Sequence, residues 1–149
     1  GALIMTLFDY LKTLIDTTKL DRDQIQFPKA DVCISLTCNT VTSGLTKQFR
    51  VKVPASIAAA FEPVSMQVNM DALAAGGTCS LNVFVDGVAI SASATAAAVD
   101  TLGEVTAFTT TSISSGKTLV FTLVETSGGG GASVSDLTMT LWGKTSHRT

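Results

Sequence analysis

Apolar and polar residues alternate one by one along most of the chain after residue 30. The alternation is clearest in Val32 to Leu36, Val64 to Met70 and Leu81 to Val85. A period of two residues is that of a β-strand with one buried face. The same pattern predicts further strands at Phe49 to Val53, Val105 to Thr111, Leu119 to Val124 and Val134 to Leu141.

A β-hairpin is predicted at Asp86-Gly87. Alternating apolar residues precede this dipeptide up to Val85 and resume after it at Val88 and Ile90. Asp-Gly between two such runs is typical of a type I′ turn with a two-residue loop. Many short strands with no helix among them predict a mainly β fold, an antiparallel β-sandwich of jelly-roll type. We expect one core from Leu81, Val83, Val85, Leu119, Phe121, Leu123, Leu137, Met139 and Leu141.

Two stretches between the predicted strands have a different character. Pro54 to Glu62 is rich in alanine and predicts a connection with a single helical turn that Pro63 ends. Ala92 to Ala98 consists of small residues and gives no prediction of regular structure.

A short amphipathic helix is predicted before the β-region, from Thr6 to about Leu20. Its apolar stripe has the spacing of one helix face, and Thr6 can cap its first turn. A single helix of this length is marginal in water, so the stripe needs a partner. That partner is either the chain's own β-domain or another chain. We predict an arm and connector over residues 1–29 and a β-sandwich over residues 30–149, with oligomer or attachment contacts at Leu7, Leu11, Leu14 and Ile15.

The charge content of the chain is low. Charged residues make up 15% of the sequence and the formal net charge is −2, whereas about 25% is typical of soluble domains. A polar surface made of Ser, Thr and Asn loses few hydrated charges on contact, which favours packing against copies or a larger assembly. There is no basic run, so we expect no nucleic-acid partner. No apolar stretch reaches the length of about 18 residues that spans a membrane, and Gly1 to Met5 lack the pattern of a signal peptide.

Residues that could perform catalysis are scarce. The single histidine, His147, is third from the end of the sequence, and no spacing pairs any two of the carboxylates. We therefore expect no catalytic site, no metal and no cofactor. Trp142 and Tyr10 are the only residues of their kinds, which weakens a sugar-binding interpretation. Trp142 alternates with Leu141, so it is predicted to face away from the core.

The three cysteines are expected to be free and buried, as in a reducing cytoplasm. Cys33 and Cys38 would lie about 16 Å apart along one strand and on opposite faces, too far for a disulfide. Cys79 then has no assigned partner.

The last predicted strand, Ser133 to Lys144, alternates threonine with apolar residues. With the body rich in Ala, Ser, Thr and Gly and the short leading helix, it resembles small structural proteins of tailed-bacteriophage virions. The similar types are capsid decoration (cement) proteins and head-fibre or tail-tip modules. The resemblance implies a non-enzymatic homotrimer in the virion, bound to a capsid or tail protein. The alternative is a receptor- or glycan-binding β-sandwich, such as a fibre tip or an adhesin domain.

Overall fold

The computed structural model describes residues 29–42, 45–54, 60–74, 78–126 and 133–146. These residues contain no α-helix, and their regular secondary structure consists of β-strands. The predicted helix, with Leu7, Leu11, Leu14 and Ile15, lies outside the described residues. The strands are β1 (Lys29–Thr42), β2 (Thr46–Lys52), β3 (Phe61–Ala74), β4 (Cys79–Val85), β5 (Val88–Ala89), β6 (Ala94–Ala96), β7 (Gly103–Val105), β8 (Thr118–Glu125) and β9 (Ser133–Ser146).

The strands form two antiparallel sheets. The first sheet has the order β1-β9-β3-β7, and the second has the order β2-β8-β4-β5 with β6 also paired to β4. The chain passes to the opposite sheet between β1, β2, β3 and β4 in turn, so most neighbouring strands are distant in sequence, whereas β4, β5 and β6 of the second sheet are consecutive. The mainly β, antiparallel fold predicted from the alternation is confirmed.

The buried apolar residues of the described ranges form one hydrophobic core between the sheets. Met66, Met139 and Leu141 of the first sheet and Leu81 and Phe121 of the second are all fully buried in it. Full burial of a side chain of this size contributes about 1.5–3 kcal/mol. The predicted core residues are confirmed, with Val85 only half-buried at its margin.

The hairpin at Asp86-Gly87 is also confirmed. Val85 pairs directly with Val88, and both loop residues have the positive φ of a type I′ turn, 51° at Asp86 and 80° at Gly87. The strand after the turn is short. β5 and β6 both pair with the side of β4 that β8 leaves open, so together they make one edge interrupted at residues 90–93.

The alternation of buried residues along β9 changes at Asp136. Val134 and Leu137 of β9 are both buried although they are three residues apart, which a strict alternation would not permit. This change coincides with the φ of 52° at Asp136, and Asp tolerates this left-handed region better than most residues do.

Two predictions of local structure are wrong, and one strand lies where no regular structure was predicted. Pro63 does not end a helical turn but lies inside β3, where the register shifts between Pro63 and Ser65 and leaves Val64 44% exposed. The strand predicted over 105–111 is replaced by β7, which ends at Val105. The stretch Ala92 to Ala98 contains β6, held by backbone pairing with β4 that its small side chains do not reveal.

Candidate functional site

The outer face of the first sheet carries a cluster of polar side chains around one tryptophan. We call it the Trp142 face, and its residues share the orientation opposite to the buried Met66, Val68, Met139 and Leu141. It comprises Trp142 and Thr140 of β9, Ser65 and Gln67 of β3, and Glu104 of β7.

Trp142 is the aromatic residue of this face. Its side chain is 43% exposed, while Leu141 beside it in sequence is buried, so it faces outward as the alternation predicts. In the sheet it pairs with Cys33 of β1 on one side and with Ser65 of β3 on the other. The neighbours are small, so the indole is a flat apolar surface that a ring-shaped ligand could contact.

Glu104 borders the same face and is held by two hydrogen bonds. Gln67 Nε2 and Ser65 Oγ both donate to Glu104 Oε1, at 2.9 and 2.7 Å. These hydrogen bonds, that from Gln67 first, lower the pKa of the exposed Glu104 carboxyl below its ordinary value of 4.5. The carboxylate is therefore both charged and fixed in orientation at neutral pH.

The register of the strands brings these groups together. Ser65 pairs with Trp142, Gln67 pairs with Thr140, and Gln67 also pairs with Glu104. Adjacent strands lie about 4.8 Å apart, and residues two apart on a strand are separated by about 6.8 Å. The face thus offers one aromatic plane, hydroxyls, an amide and one carboxylate within the span of three strands.

A separate depression lies between the edges of the two sheets. It is an open depression of about 470 Å³ where β1 meets β2, lined by Thr37, Cys38, Asn39, Thr40, Lys47, Gln48 and Phe49. The aromatic residue of this lining, Phe49, is half-buried against the core and does not present an exposed ring. The depression therefore lacks the flat apolar surface that Trp142 supplies.

The cysteines do not form a site. Cys33 is exposed, so the expectation that all three are buried is wrong for it: it occupies an outward position of β1, between the inward Val32 and Ile34. Cys38 and Cys79 are buried and free. Burial first, and then the nearby Cys38 and Glu125 side chains, raise the pKa of the Cys79 thiol to about 12, which makes it a poor nucleophile.

Within the described ranges, no three or more His, Cys, Asp or Glu side chains lie close enough together to hold a metal ion. No helix in the described part of the chain is long and apolar enough to cross a membrane.

Sequence reasoning placed Trp142 on the outer face but missed the cluster beside it. Ser65 and Gln67 are visible in the sequence as the polar members of an alternating strand. Their contact with Glu104 depends on the pairing of β3 with β7, which no local pattern shows because β7 is only three residues long.

No protein-family model and no curated protein matches this chain. Among solved structures, it is similar to dimeric latent PorU from Porphyromonas gingivalis, with 11% identity and a TM-score of 0.47; the match covers 83% of this chain and 13% of PorU. It is also similar to a family 35 carbohydrate binding module from Clostridium thermocellum, with 12% identity and a TM-score of 0.38, covering 74% of this chain and 97% of that module. At these values neither structure transfers a residue or a ligand to this chain.

Proposed function

We propose that this protein is a non-catalytic binding module that holds a glycan on the Trp142 face. The observation that carries the proposal is the half-exposed indole of Trp142 beside a carboxylate that two neighbouring side chains hold in place. This is the alternative that the sequence left open, and the geometry favours it over the leading one.

The chemistry of a sugar fits both parts of this face. A pyranose ring has an apolar C–H surface and a rim of hydroxyls. The indole offers a broad apolar plane for the first, and such amphipathic rings are enriched at binding surfaces. Glu104 can accept a hydroxyl hydrogen, and a charge-assisted hydrogen bond of this kind is stronger than a neutral one.

The fold itself does not need a tryptophan at position 142. The outward positions before it on β9 are Thr138 and Thr140, and a threonine would satisfy the alternation equally well. An exposed large aromatic on an otherwise polar face is therefore better explained by a ligand than by packing.

The test is a glycan array with the full chain, followed by calorimetric titration of the best glycan. We expect Trp142→Ala to weaken binding about tenfold or more, as is usual for an aromatic at the centre of a contact, and Glu104→Gln to weaken it as well. The matched control is Val88→Ala, which truncates a side chain that is 64% exposed on β5 of the second sheet. Absence of any glycan bound, or equal loss in the control, would refute the proposal.

We infer in addition that the sandwich is a jelly roll. The strand orders β1-β9-β3-β7 and β2-β8-β4-β5 support this, because in a jelly roll two Greek keys wind the chain back and forth between two four-stranded sheets.

The second candidate is the virion structural protein that the resemblance implies, a homotrimer attached to a capsid or tail protein. A long first strand without charges from Val32 to Thr42 favours an assembly function, because such an edge associates through main-chain hydrogen bonds. Co-sedimentation of the protein with virus particles from a lysate tests this candidate. If the protein stays in the supernatant and no particle protein accompanies it in purification, the candidate fails.

A further inference from the structure

The edges of the two sheets differ in how well they are protected. Unpaired N–H and C=O groups on an edge strand attract another strand, and proteins prevent this with short edges, interruptions or charges. At one edge of the second sheet, β2 carries Lys47, Arg50 and Lys52 over seven residues. The other edge of that sheet, β5 with β6, is interrupted, and β7 at one edge of the first sheet is only three residues long.

β1 lacks these protections from Val32 onward. It is 14 residues long, pairs with β9 on one side, and has no strand on its other side among the described residues. From Val32 to Thr42 it contains no charged residue and no proline. This uncharged stretch of 11 residues extends over about 37 Å at the usual strand rise.

An apolar seam runs beside this edge. Val32, Ile34 and Leu36 point toward the core but remain half-buried, whereas the corresponding residues of β9 are fully buried. In the opposite sheet, Phe49 and Val51 of the neighbouring edge strand β2 are also half-buried. The sandwich is therefore covered less completely along β1 than through its centre.

We propose that the β1 edge binds the β1 edge of a second copy of this chain, as an antiparallel pair about a two-fold axis. A second copy offers an edge of the same length that lacks the same hydrogen bonds, so each copy satisfies the other. No like charges would face each other along the uncharged stretch. The second copy would also cover the half-buried side chains of the seam. This pairing is independent of glycan binding and would give two-fold assemblies, in contrast to the trimer that the resemblance implies.

The test is the mass of the full chain in solution, measured by sedimentation equilibrium, for the wild type and for Ser35→Lys/Thr37→Lys. These two exposed positions of β1 would place like charges near one another across the pair, so we expect the mass to fall to one half. The matched control Ala97→Lys/Thr106→Lys adds the same charge at exposed positions outside β1 and should keep the wild-type mass. Because no ion pair is involved, the wild-type mass should not change between low and high salt.

Hydrogen exchange distinguishes the remaining outcomes. In the wild type the β1 amides that point away from β9 should be protected, and this protection should fall in the lysine variant together with the mass. A wild type that is monomeric while these outward amides are protected would overturn the proposal, because another part of the same chain would then cover the edge. A lysine variant that folds and keeps the wild-type mass would also overturn it, since the copies would then associate elsewhere.

Discussion

The ring of Phe61 packs against the backbone of Gly143, where a β-carbon on residue 143 would overlap with the ring. Phe61 is buried and exchanges two backbone hydrogen bonds with Ile113, each of 2.8 Å. Because Gly143 has no side chain, the ring of Phe61 fits against it, while the backbone of Phe61 links the start of β3 to the segment between β7 and β8.

The first prediction is that Gly143→Ala lowers the free energy of unfolding by about 1–3 kcal/mol, the usual cost of inserting a methyl group into a packed site. Phe61→Leu should create space for that methyl group. The double variant is then expected to be more stable than the sum of the two single effects implies, which a double-mutant cycle in urea measures. Additive effects would show that the ring and the glycine do not interact.

The second prediction concerns the carboxyl of Glu104. Because its pKa in the folded protein is lowered, its contribution to stability is present above the ordinary pKa and is lost as the pH falls through the folded value. Gln67→Ala removes the larger cause of the shift, so the pKa of Glu104 should rise toward 4.5 in an NMR titration. Asn82→Ala, on the second sheet, should leave it unchanged. If both variants titrate like the wild type, the hydrogen bond from Gln67 does not persist in solution.

The third prediction concerns thiol reactivity. In the native protein near pH 8, a thiol reagent should modify Cys33 rapidly and Cys38 and Cys79 only at the rate of unfolding, because the latter two are buried. All three should react in denaturant, and Cys33→Ser should remove the fast phase alone. Since the pKa of Cys79 is raised to about 12 from 9.0, its contribution to stability should be lost as the pH rises between these values. Fewer than three thiols in denaturant without reductant would reveal a disulfide.

The fourth prediction concerns the segment before β1. Replacing Leu11 and Leu14 by Ser should leave the β-sandwich folded, as judged by circular dichroism, while the protein loses its attachment to a particle or its assembly through this segment. Pairing through the β1 edge should survive this change. If the double variant instead loses thermal stability as a monomer and keeps its assembly state, then the apolar stripe belongs to the core of the domain.

The sequence predicted those elements whose structure depends on local pattern. Met66, Val68 and Met70 alternate because one face of β3 is buried, and Asp86-Gly87 forms a turn because both residues accept a positive φ. The parts that sequence reasoning missed depend on pairing between distant strands. β6 has small side chains and is a strand only because β4 offers it hydrogen bonds.

The candidate site was likewise predicted only in the part that depends on local pattern. The outward orientation of Trp142 follows from alternation alone and was predicted. The carboxylate beside it was not, because Glu104 and Ser65 are 39 residues apart and meet only through the register of β3 and β7. Exposure of Cys33 follows from alternation too, but the general tendency of cysteine to be buried led to the opposite expectation.

The position of β9 between β1 and β3 has a consequence for biosynthesis. This strand is the last of those described and pairs along almost its whole length with both neighbours. Until β9 has been synthesised, β1 and β3 have no strand between them to pair with. In the same way, β2 and β4 cannot pair until β8 has been synthesised. Folding must therefore be a late event dominated by distant contacts, which is slow and prone to aggregation. Nascent chains of this protein are expected to depend on chaperones until residue 146 has left the ribosomal tunnel.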